Sequence, residues 1–160
     1  MRFPRTIRLD SSDPQVFEKA ADPGEPAVPG GFAFADVEPD QLTGKRRLAF
    51  ASGWLGTVSF GRSSLVEIAE ISEAEFFQVV ERLARHFVAD YGAPDLTAAL
   101  PAARAAADDA ASLCEHKLHS LLAVERDWEN GRITERFRLI EPERAADHAK
   151  IWEIVEDPEA

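Results

Sequence analysis

The segment CEHKLH, from Cys114 to His119, contains the residue types that bind zinc in proteins, because thiolate and imidazole are the usual ligands of this ion. Cys114, His116 and His119 would supply three ligands. Residues two apart do not share a helical face, however, and no CxxC or HxxxH motif completes a set of four. Histidines near the C-terminal end of a helix are also favoured there by its negative pole. We therefore predict no metal here and a buried Cys114, with a zinc site on these three residues as the alternative.

A second candidate is the segment GWLGTVSFGRSS, from Gly53 to Ser64, whose composition is typical of a ligand-binding loop. Its glycines permit close approach of a ligand, and Trp54 and Phe60 offer apolar walls. Arg62 with Ser59, Ser63 and Ser64 would hold a carboxylate or phosphate. His86, at the edge of an apolar helix face, would complete the lining, although a packing role is more common for such a histidine. No GxGxxG or P-loop pattern occurs. Turn glycines beside a core strand are the favoured interpretation, and a small-molecule enzyme pocket is the alternative.

No catalytic signature occurs elsewhere in the sequence. GxSxG and HExxH are both missing, and the many carboxylates select no acid–base pair, although Glu67 and Glu70 lie in a segment with the pattern of a buried strand. The sequence therefore identifies no catalytic residue and predicts no cofactor. It leaves catalysis undecided and favours a non-catalytic protein.

The charge of the chain restricts its partners. The 160 residues carry a net charge of −11 with a pI near 4.8, so the field of the whole molecule repels phosphate backbones and anionic membrane surfaces. We expect neither nucleic acid nor membrane as a partner. Two basic clusters, Arg2/Arg5/Arg8 and Lys45/Arg46/Arg47, are interpreted as solvated faces, with local contact to an anion as the alternative.

The single cysteine excludes an intrachain disulfide and fits a reducing compartment. The first ten residues lack the apolar run of a signal peptide, and no stretch reaches the ~18 apolar residues of a membrane span. These observations predict a cytoplasmic protein.

The strongest helix signal lies between Ile71 and Pro94. Ser72 and Glu75 have the spacing of a capping box, and Gly92 followed by Pro94 marks the end. An apolar stripe recurs at three- and four-residue steps, consisting of Phe76, Val80, Leu83, Ala84, Phe87 and Tyr91. A second, alanine-rich helix is predicted within residues 95–117, with an inward stripe of Leu96, Leu100, Ala103, Ala107, Ala110 and Leu113/Cys114.

The chain before this helix is less regular. Turn residues between Thr6–Leu9 and Gln15–Lys19 predict a β-hairpin. Three prolines and three glycines predict a surface loop over residues 21–31. The remaining predictions are a strand at Phe32–Val37 and extended chain over Thr57–Ile71 that ends in a central strand. A short helix is predicted within Pro39–Ser52, with Leu48 and either Phe50 or Ala51 as its apolar positions.

The region from Leu121 to Ile140 predicts a second hairpin, because Asn130-Gly131 is the preferred type I′ turn. A two-residue loop pairs Glu129 with Arg132, and each outward step then matches apolar with apolar and charge with countercharge. Residues 143–155 fit either a helix or a strand, and residues 157–160 should fray.

Three segments, RTIRLDSSDPQVFEKAADPGE, SGWLGTVSFGRSSLV and ASLCEH, resemble a small bacterial family known only as a domain of unknown function. The similarity extends over nearly the full chain. It implies no activity, cofactor or catalytic residue, but it draws attention to the Gly53 loop and to Cys114/His116.

Together these patterns predict a single α+β domain over residues 1–160, with an antiparallel sheet covered on one face by a pair of helices. The expected function is a non-catalytic accessory module that binds a protein or a small molecule. Self-association through an uncovered sheet edge or face is also expected.

Overall fold

The computed structural model describes residues 1–8, 12–142 and 152–156, and it confirms the α+β class. The helices are α1 (Asp13–Val16), α2 (Gly44–Ser52), α3 (Glu73–Asp90) and α4 (Leu96–Ser112). The strands are β1 (Arg2–Ile7), β2 (Ala27–Val28), β3 (Trp54–Gly56), β4 (Arg62–Ser63), β5 (Leu65–Glu70), β6 (Leu121–Glu129), β7 (Arg132–Pro142) and β8 (Trp152–Glu156). Two short 3-10 turns cover Gly31–Phe34 and Pro39–Gln41.

The strands form two antiparallel sheets. The larger has the order β1-β5-β6-β7-β8 and the smaller the order β2-β3-β4. One part of the core packs a face of the large sheet, which includes Val66, Ile68 and Leu122, against Trp54 and Cys114. A second part packs α3 and α4 against each other and against β1 and the small sheet. A third, smaller part contains Phe34, Leu42 and Phe50. The small sheet therefore contributes to both of the larger parts of the core.

Helix α3 forms where its local signals predict. The Ser72 hydroxyl accepts a hydrogen bond from the Glu75 backbone N–H at 3.1 Å, and the Glu75 carboxylate accepts one from the Ser72 N–H at 3.4 Å. Gly92 has a φ of 77° just beyond the helix, a left-handed conformation that glycine adopts without strain. Tyr91 departs from the prediction, because its side chain is 44% exposed rather than covered.

The inward stripe of α4 consists almost entirely of alanine. Ala99, Ala103, Ala107 and Ala110 are buried, and Cys114 is buried just beyond the helix. The prediction was wrong for Leu96 and Leu100, which are 38% and 42% exposed. The small side chains let α4 approach α3 closely, and the two leucines lie outside that contact.

The hairpin β6–β7 has the predicted register throughout, from Glu129 opposite Arg132 to Leu121 opposite Ile140. Asn130 and Gly131 have φ values of 52° and 77°, as a type I′ turn requires. Beyond Pro142, residues 152–156 form a strand against β7. The rest of 143–155 and the predicted fraying at 157–160 lie outside the described residues.

The predictions for the first third of the chain were largely wrong. The predicted hairpin between residues 6–9 and 15–19 is wrong in the part that the structure describes, because β1 pairs with β5 and Asp13–Val16 form a helical turn. Asp13 is buried and accepts a hydrogen bond from the Ser64 hydroxyl at 2.7 Å, which holds this turn beside β4. Long-range contacts thus override the local turn signals.

Other segments also differ from the predictions. Residues 25–28 are buried and include β2, so the predicted surface loop continues into the core. The predicted strand at 32–37 begins as a 3-10 turn, and residues 57–59 form a turn rather than a strand. Helix α2 forms as predicted with Phe50 buried, but Leu48 is 45% exposed. Within the described ranges, no helix is both long and apolar enough to cross a membrane.

Candidate functional site

A cavity of about 250 Å³, here called the basic pocket, opens between α2, the turn at residues 57–61 and the end of α3. Its walls come from segments far apart in the sequence. The lining residues are four cations (Lys19, Lys45, Arg46, Arg62), one carboxylate (Glu18), four aromatic residues (Phe17, Phe34, Phe60, Tyr91) and two alanines (Ala33, Ala49). The pocket thus collects positive charge in a chain whose net charge is −11.

Arg62 is the buried cation of the basic pocket. Its residue is only 9% exposed, and its two terminal nitrogens donate to the carbonyls of Gly53 at 3.1 Å and Gly30 at 3.3 Å. The guanidinium also lies over the Phe34 ring, 5.0 Å from its centroid. Burial lowers the pKa of Arg62 to about 9, and the nearby charge of Arg126 acts in the same direction. The side chain therefore stays protonated at neutral pH.

Arg126 is a second buried guanidinium beside Arg62, and the two differ in their partners. Arg126 forms an ion pair with Glu135 at 2.7 Å and donates to the carbonyls of Pro29, Phe50 and Gly53. Within the described ranges, Arg62 has no carboxylate partner. A buried charge normally has such a partner, because desolvation costs several kcal/mol. The electrostatic requirement of Arg62 is thus only partly met by the protein.

The first turn of α2 adds exposed cations to the lining of the pocket. Thr43 is the N-cap and accepts no side-chain capping bond, and the first turn contains Lys45 and Arg46 but no acidic residue. Cations are unfavourable at this positive end of a helix, where acids are normally preferred. Lys45 and Arg46 are both exposed, so they can reach a bound anion. Lys45 and Arg46 therefore lie at a helix end where cations are destabilising, and they also line the pocket. Such departures from local stability are expected at functional sites.

The turn at residues 57–61 forms the opposite wall and is held by the buried Glu25. The Glu25 carboxylate accepts hydrogen bonds from the backbone N–H groups of Val58 at 3.0 Å and Ser59 at 2.7 Å, and from the Ser59 hydroxyl at 2.6 Å. A fourth bond comes from the Asp22 N–H at 2.7 Å. Burial raises the pKa of Glu25, but the hydrogen bonds from Ser59, Asp22 and Val58 outweigh it, so the pKa lies below its ordinary value.

This turn fixes Phe60 in an unusual conformation. Phe60 has a φ of 58°, in the left-handed region that bulky side chains rarely adopt. Its ring stacks on His86, with centroids 3.9 Å apart and an interplanar angle of 11°. Phe60 therefore lines the basic pocket while its ring packs on His86.

His86 packs against two residues that line the pocket, Phe60 and Tyr91. Its Nδ1 lies 3.0 Å from the Asp90 carboxylate, and its ring contacts Tyr91 edge to face at 5.2 Å. Burial lowers the pKa of His86, and Arg62 and Lys19 lower it further, whereas Asp90 raises it. The net shift is downward, which favours the neutral ring at pH 7.

The structure brings together two of the four residues predicted to bind a ligand. Arg62 lines the basic pocket and His86 packs behind its wall. Trp54 is fully buried in the core, and Ser63 donates to the carbonyls of Ile7 and Leu65, so neither lines the pocket.

Lys19, Phe34 and Tyr91 line the pocket but carry no sequence pattern that predicted this role. Lys45 and Arg46 were predicted to belong to a solvated face. The usable signal was three consecutive cations in the first turn of a predicted helix.

The CEHKLH segment has a different structure. Cys114 is 1% exposed and packs in the core, where its thiol contacts the Ala110 carbonyl at 3.6 Å. The pKa of Cys114 is raised to about 12, because the effect of burial exceeds the opposite effect of the Arg2 charge. His119 lies 3.4 Å from Glu67, and the His116 carbonyl accepts from Arg2. Across the part of the chain that the structure describes, no three His, Cys, Asp or Glu residues are placed to hold a metal ion.

A larger cavity of about 500 Å³ lies between α4 and β7. Its walls are mainly apolar, and its two carboxylates are Asp109 and Glu135. Glu135 is already paired with Arg126. This cavity therefore has fewer charged groups than the basic pocket, and its described lining residues include no cation.

Comparison with known proteins adds the family of the chain. No curated protein and no solved structure matches it significantly. A family model described as a family of unknown function matches residues 1–155, nearly the entire sequence. This match confirms the resemblance that the three sequence segments indicate, and the chain belongs to the family of unknown function DUF6505.

Proposed function

We propose that this protein is a binding module for a small anionic ligand, which it holds in the basic pocket without converting it. The observation that carries the proposal is Arg62, a buried guanidinium that lines the pocket and has no carboxylate partner within the described residues. An anion in the pocket would supply the missing countercharge. Charge-assisted contacts of this kind are stronger than neutral hydrogen bonds.

The arrangement of the cations supports binding of a ligand with more than one negative charge. Both terminal nitrogens of Arg62 are engaged by carbonyls, so Arg62 acts mainly as a fixed positive charge rather than as a two-pronged clamp. Lys19, Lys45 and Arg46 are exposed and have flexible side chains, which suits direct contact with oxygen atoms of a ligand. Among the described residues that line the pocket, four carry a positive charge and one, Glu18, carries a negative charge. A phosphate or a dicarboxylate fits this balance.

The proposal is one of binding, because the polar groups of the pocket are mainly cations that attract and orient an anion. His86, the titratable group nearest to a catalytic role, stacks behind Phe60 and is paired with Asp90. It supports the wall rather than facing the cavity.

The test is titration of pyrophosphate into the purified protein at about 0.15 M salt, where exposed charges more than ~8 Å apart are largely screened. Binding is measured by calorimetry and by amide shifts in two-dimensional NMR spectra. Arg46→Glu should weaken binding at least about fivefold, because it reverses a charge at the pocket mouth. Arg47→Glu is the matched control, since Arg47 is exposed on the same helix turn but does not line the pocket. It should change the affinity by less than about twofold. No binding, or equal losses in both variants, would contradict the proposal.

The cellular setting of this function is also proposed. A single buried free thiol is consistent with a reducing compartment, which supports a cytoplasmic location. Self-association through an edge strand of the large sheet is proposed because such edges offer unpaired backbone groups. Size-exclusion chromatography with light scattering tests it, and a monomer at all accessible concentrations would refute self-association.

A further inference from the structure

The apolar part of the basic pocket is almost entirely aromatic. Among the described residues that line it, the non-aromatic apolar side chains are two alanines, and the aromatic rings with exposed surface belong to Phe60 and Tyr91. Phe17 and Phe34 are nearly buried, and Arg62 already covers one face of the Phe34 ring. A ligand that fills the pocket therefore places its body against Phe60 and Tyr91. Ring pairs in offset or edge-to-face contact gain free energy beyond that of simple burial.

The surrounding structure holds Phe60 in its position. A bulky residue with φ near 58° is strained, and such strain persists only where the surroundings enforce it. Three hydrogen bonds enforce it here. The Glu25 carboxylate accepts from the N–H groups of Val58 and Ser59, and the Ser59 hydroxyl accepts from the Gly61 N–H at 3.0 Å. Residue 61 also has no room for a side chain, because a Cβ would lie about 2.5 Å from the Ala20 backbone.

Charge and size define the rest of the ligand. Arg62 and Arg46 reach the same cavity as the two exposed rings, so an anionic group and a ring can be held at the same time. A volume of about 250 Å³ lies just below the usual range of ligand pockets, roughly 300–1,000 Å³, which suits a single ring better than a larger molecule. The excess of cations favours a doubly charged phosphate over a singly charged carboxylate.

We infer that the ligand is an aromatic phosphate monoester, with its phosphate among Arg62, Arg46 and Lys45 and its ring against Phe60 and Tyr91. This inference rests on the proposed function, because it requires anion binding in the same pocket. It adds the chemical class of the ligand. It also makes Glu25 a positioning residue, since Glu25 holds the turn that presents Phe60.

The experiment compares four probes by calorimetry: phenyl phosphate, cyclohexyl phosphate, methyl phosphate and benzoate. Phenyl phosphate should bind about tenfold more tightly than methyl phosphate and at least about threefold more tightly than cyclohexyl phosphate, since stacking contributes beyond apolar burial. Benzoate should bind more weakly than phenyl phosphate, because it carries one negative charge instead of two. Benzoate binding as tightly would overturn the phosphate assignment.

Variants locate the ring site. Phe60→Leu and Tyr91→Leu should each reduce the preference for phenyl over cyclohexyl phosphate. Phe77→Leu is the matched control, because Phe77 is 52% exposed on α3 and does not line the pocket. Its preference should equal that of the wild type. Tyr91 is 44% exposed, so Tyr91→Leu gives the decisive result if Phe60→Leu does not fold.

The outcomes separate this inference from the proposed function. Equal affinity for methyl, cyclohexyl and phenyl phosphate, together with the loss in Arg46→Glu, would overturn the aromatic ligand and leave anion binding intact. A phenyl preference that persists in both Phe60→Leu and Tyr91→Leu would place the ring elsewhere and overturn the inference. Failure of every phosphate to bind would overturn both.

Discussion

Replacing Glu25 with glutamine should destabilise the protein and disturb the basic pocket at the same time. Glu25 is 6% exposed, and its two carboxylate oxygens accept four hydrogen bonds from Asp22, Val58 and Ser59. An amide keeps the shape of the side chain but replaces one acceptor oxygen with a donor nitrogen. The variant therefore isolates the acceptor capacity and charge of this residue.

The expected cost follows from the geometry of the four bonds. The amide nitrogen is best placed at Oε2, where the Ser59 hydroxyl can rotate to accept from it, but the Asp22 N–H then faces another donor. An unsatisfied buried donor costs about 1–3 kcal/mol, and the bonds that remain lose the strengthening effect of the charge. Removing a buried charge offsets part of this cost. We expect the free energy of unfolding to fall by about 2–4 kcal/mol.

The loss should depend on pH in a defined direction. The folded-state pKa of Glu25 lies below its ordinary value of 4.5, so its contribution to stability is fully present above that pH. The contribution is lost as pH falls through the folded-state pKa, because protons then bind the folded state as well. The difference between wild type and Glu25→Gln should be constant from about pH 6 to 8 and should shrink below about pH 4.5.

Urea unfolding followed by tryptophan fluorescence measures this difference at each pH. Glu115→Gln is the control, because Glu115 is exposed, and it should change stability by less than about 0.5 kcal/mol. A Glu25→Gln loss that matches the control, or one that grows as pH falls, would refute the reasoning. Amide shifts at residues 57–61 report whether the turn has moved.

Three further predictions follow from single sites. Gly61→Ala should lower the free energy of unfolding by about 1–3 kcal/mol, because the added Cβ meets the Ala20 backbone; unchanged urea midpoints would contradict this contact. Ser72→Ala should cost about 1 kcal/mol through loss of the α3 N-cap bond, and the Glu75 amide should exchange its hydrogen faster; no change in either would show that the cap contributes nothing. Cys114 should resist Ellman's reagent at pH 8 until the protein is unfolded in urea, because it is 1% exposed and its pKa is raised to about 12; rapid reaction of the folded protein would refute its burial.

Sequence patterns were most reliable where neighbouring residues determine the structure. The Ser72 cap and the Gly92 terminus of α3 involve contacts within a few residues, and both are confirmed. The β6–β7 register depends on the Asn130-Gly131 turn, because each residue pair follows in sequence outward from it. One local feature therefore determines the register of the whole hairpin. The family membership was likewise recognisable from the sequence.

The sequence failed where partners lie far away along the chain. The partner of β1 is β5, about sixty residues later, so the turn formers after Leu9 gave a false hairpin signal. The alternation of Phe32 and Phe34 resembles a strand, but these residues form a 3-10 turn whose rings face α3 and α2 separately. Local propensity cannot distinguish these cases, because the deciding contacts are tertiary.

By itself, the sequence determined the acidic character of the chain, its α+β class, the α3 helix, the β6–β7 hairpin and the interest of Arg62 and His86 as candidate residues. Only the tertiary structure decided that Trp54 and Ser63 are core residues and that Lys19, Arg46 and Tyr91 meet at Arg62. The physical reason is that the state of Arg62, a buried cation with no carboxylate partner among the described residues, depends on burial and on the distance to carboxylates. Both are set by segments from residue 17 to residue 91 that come together only in the folded chain.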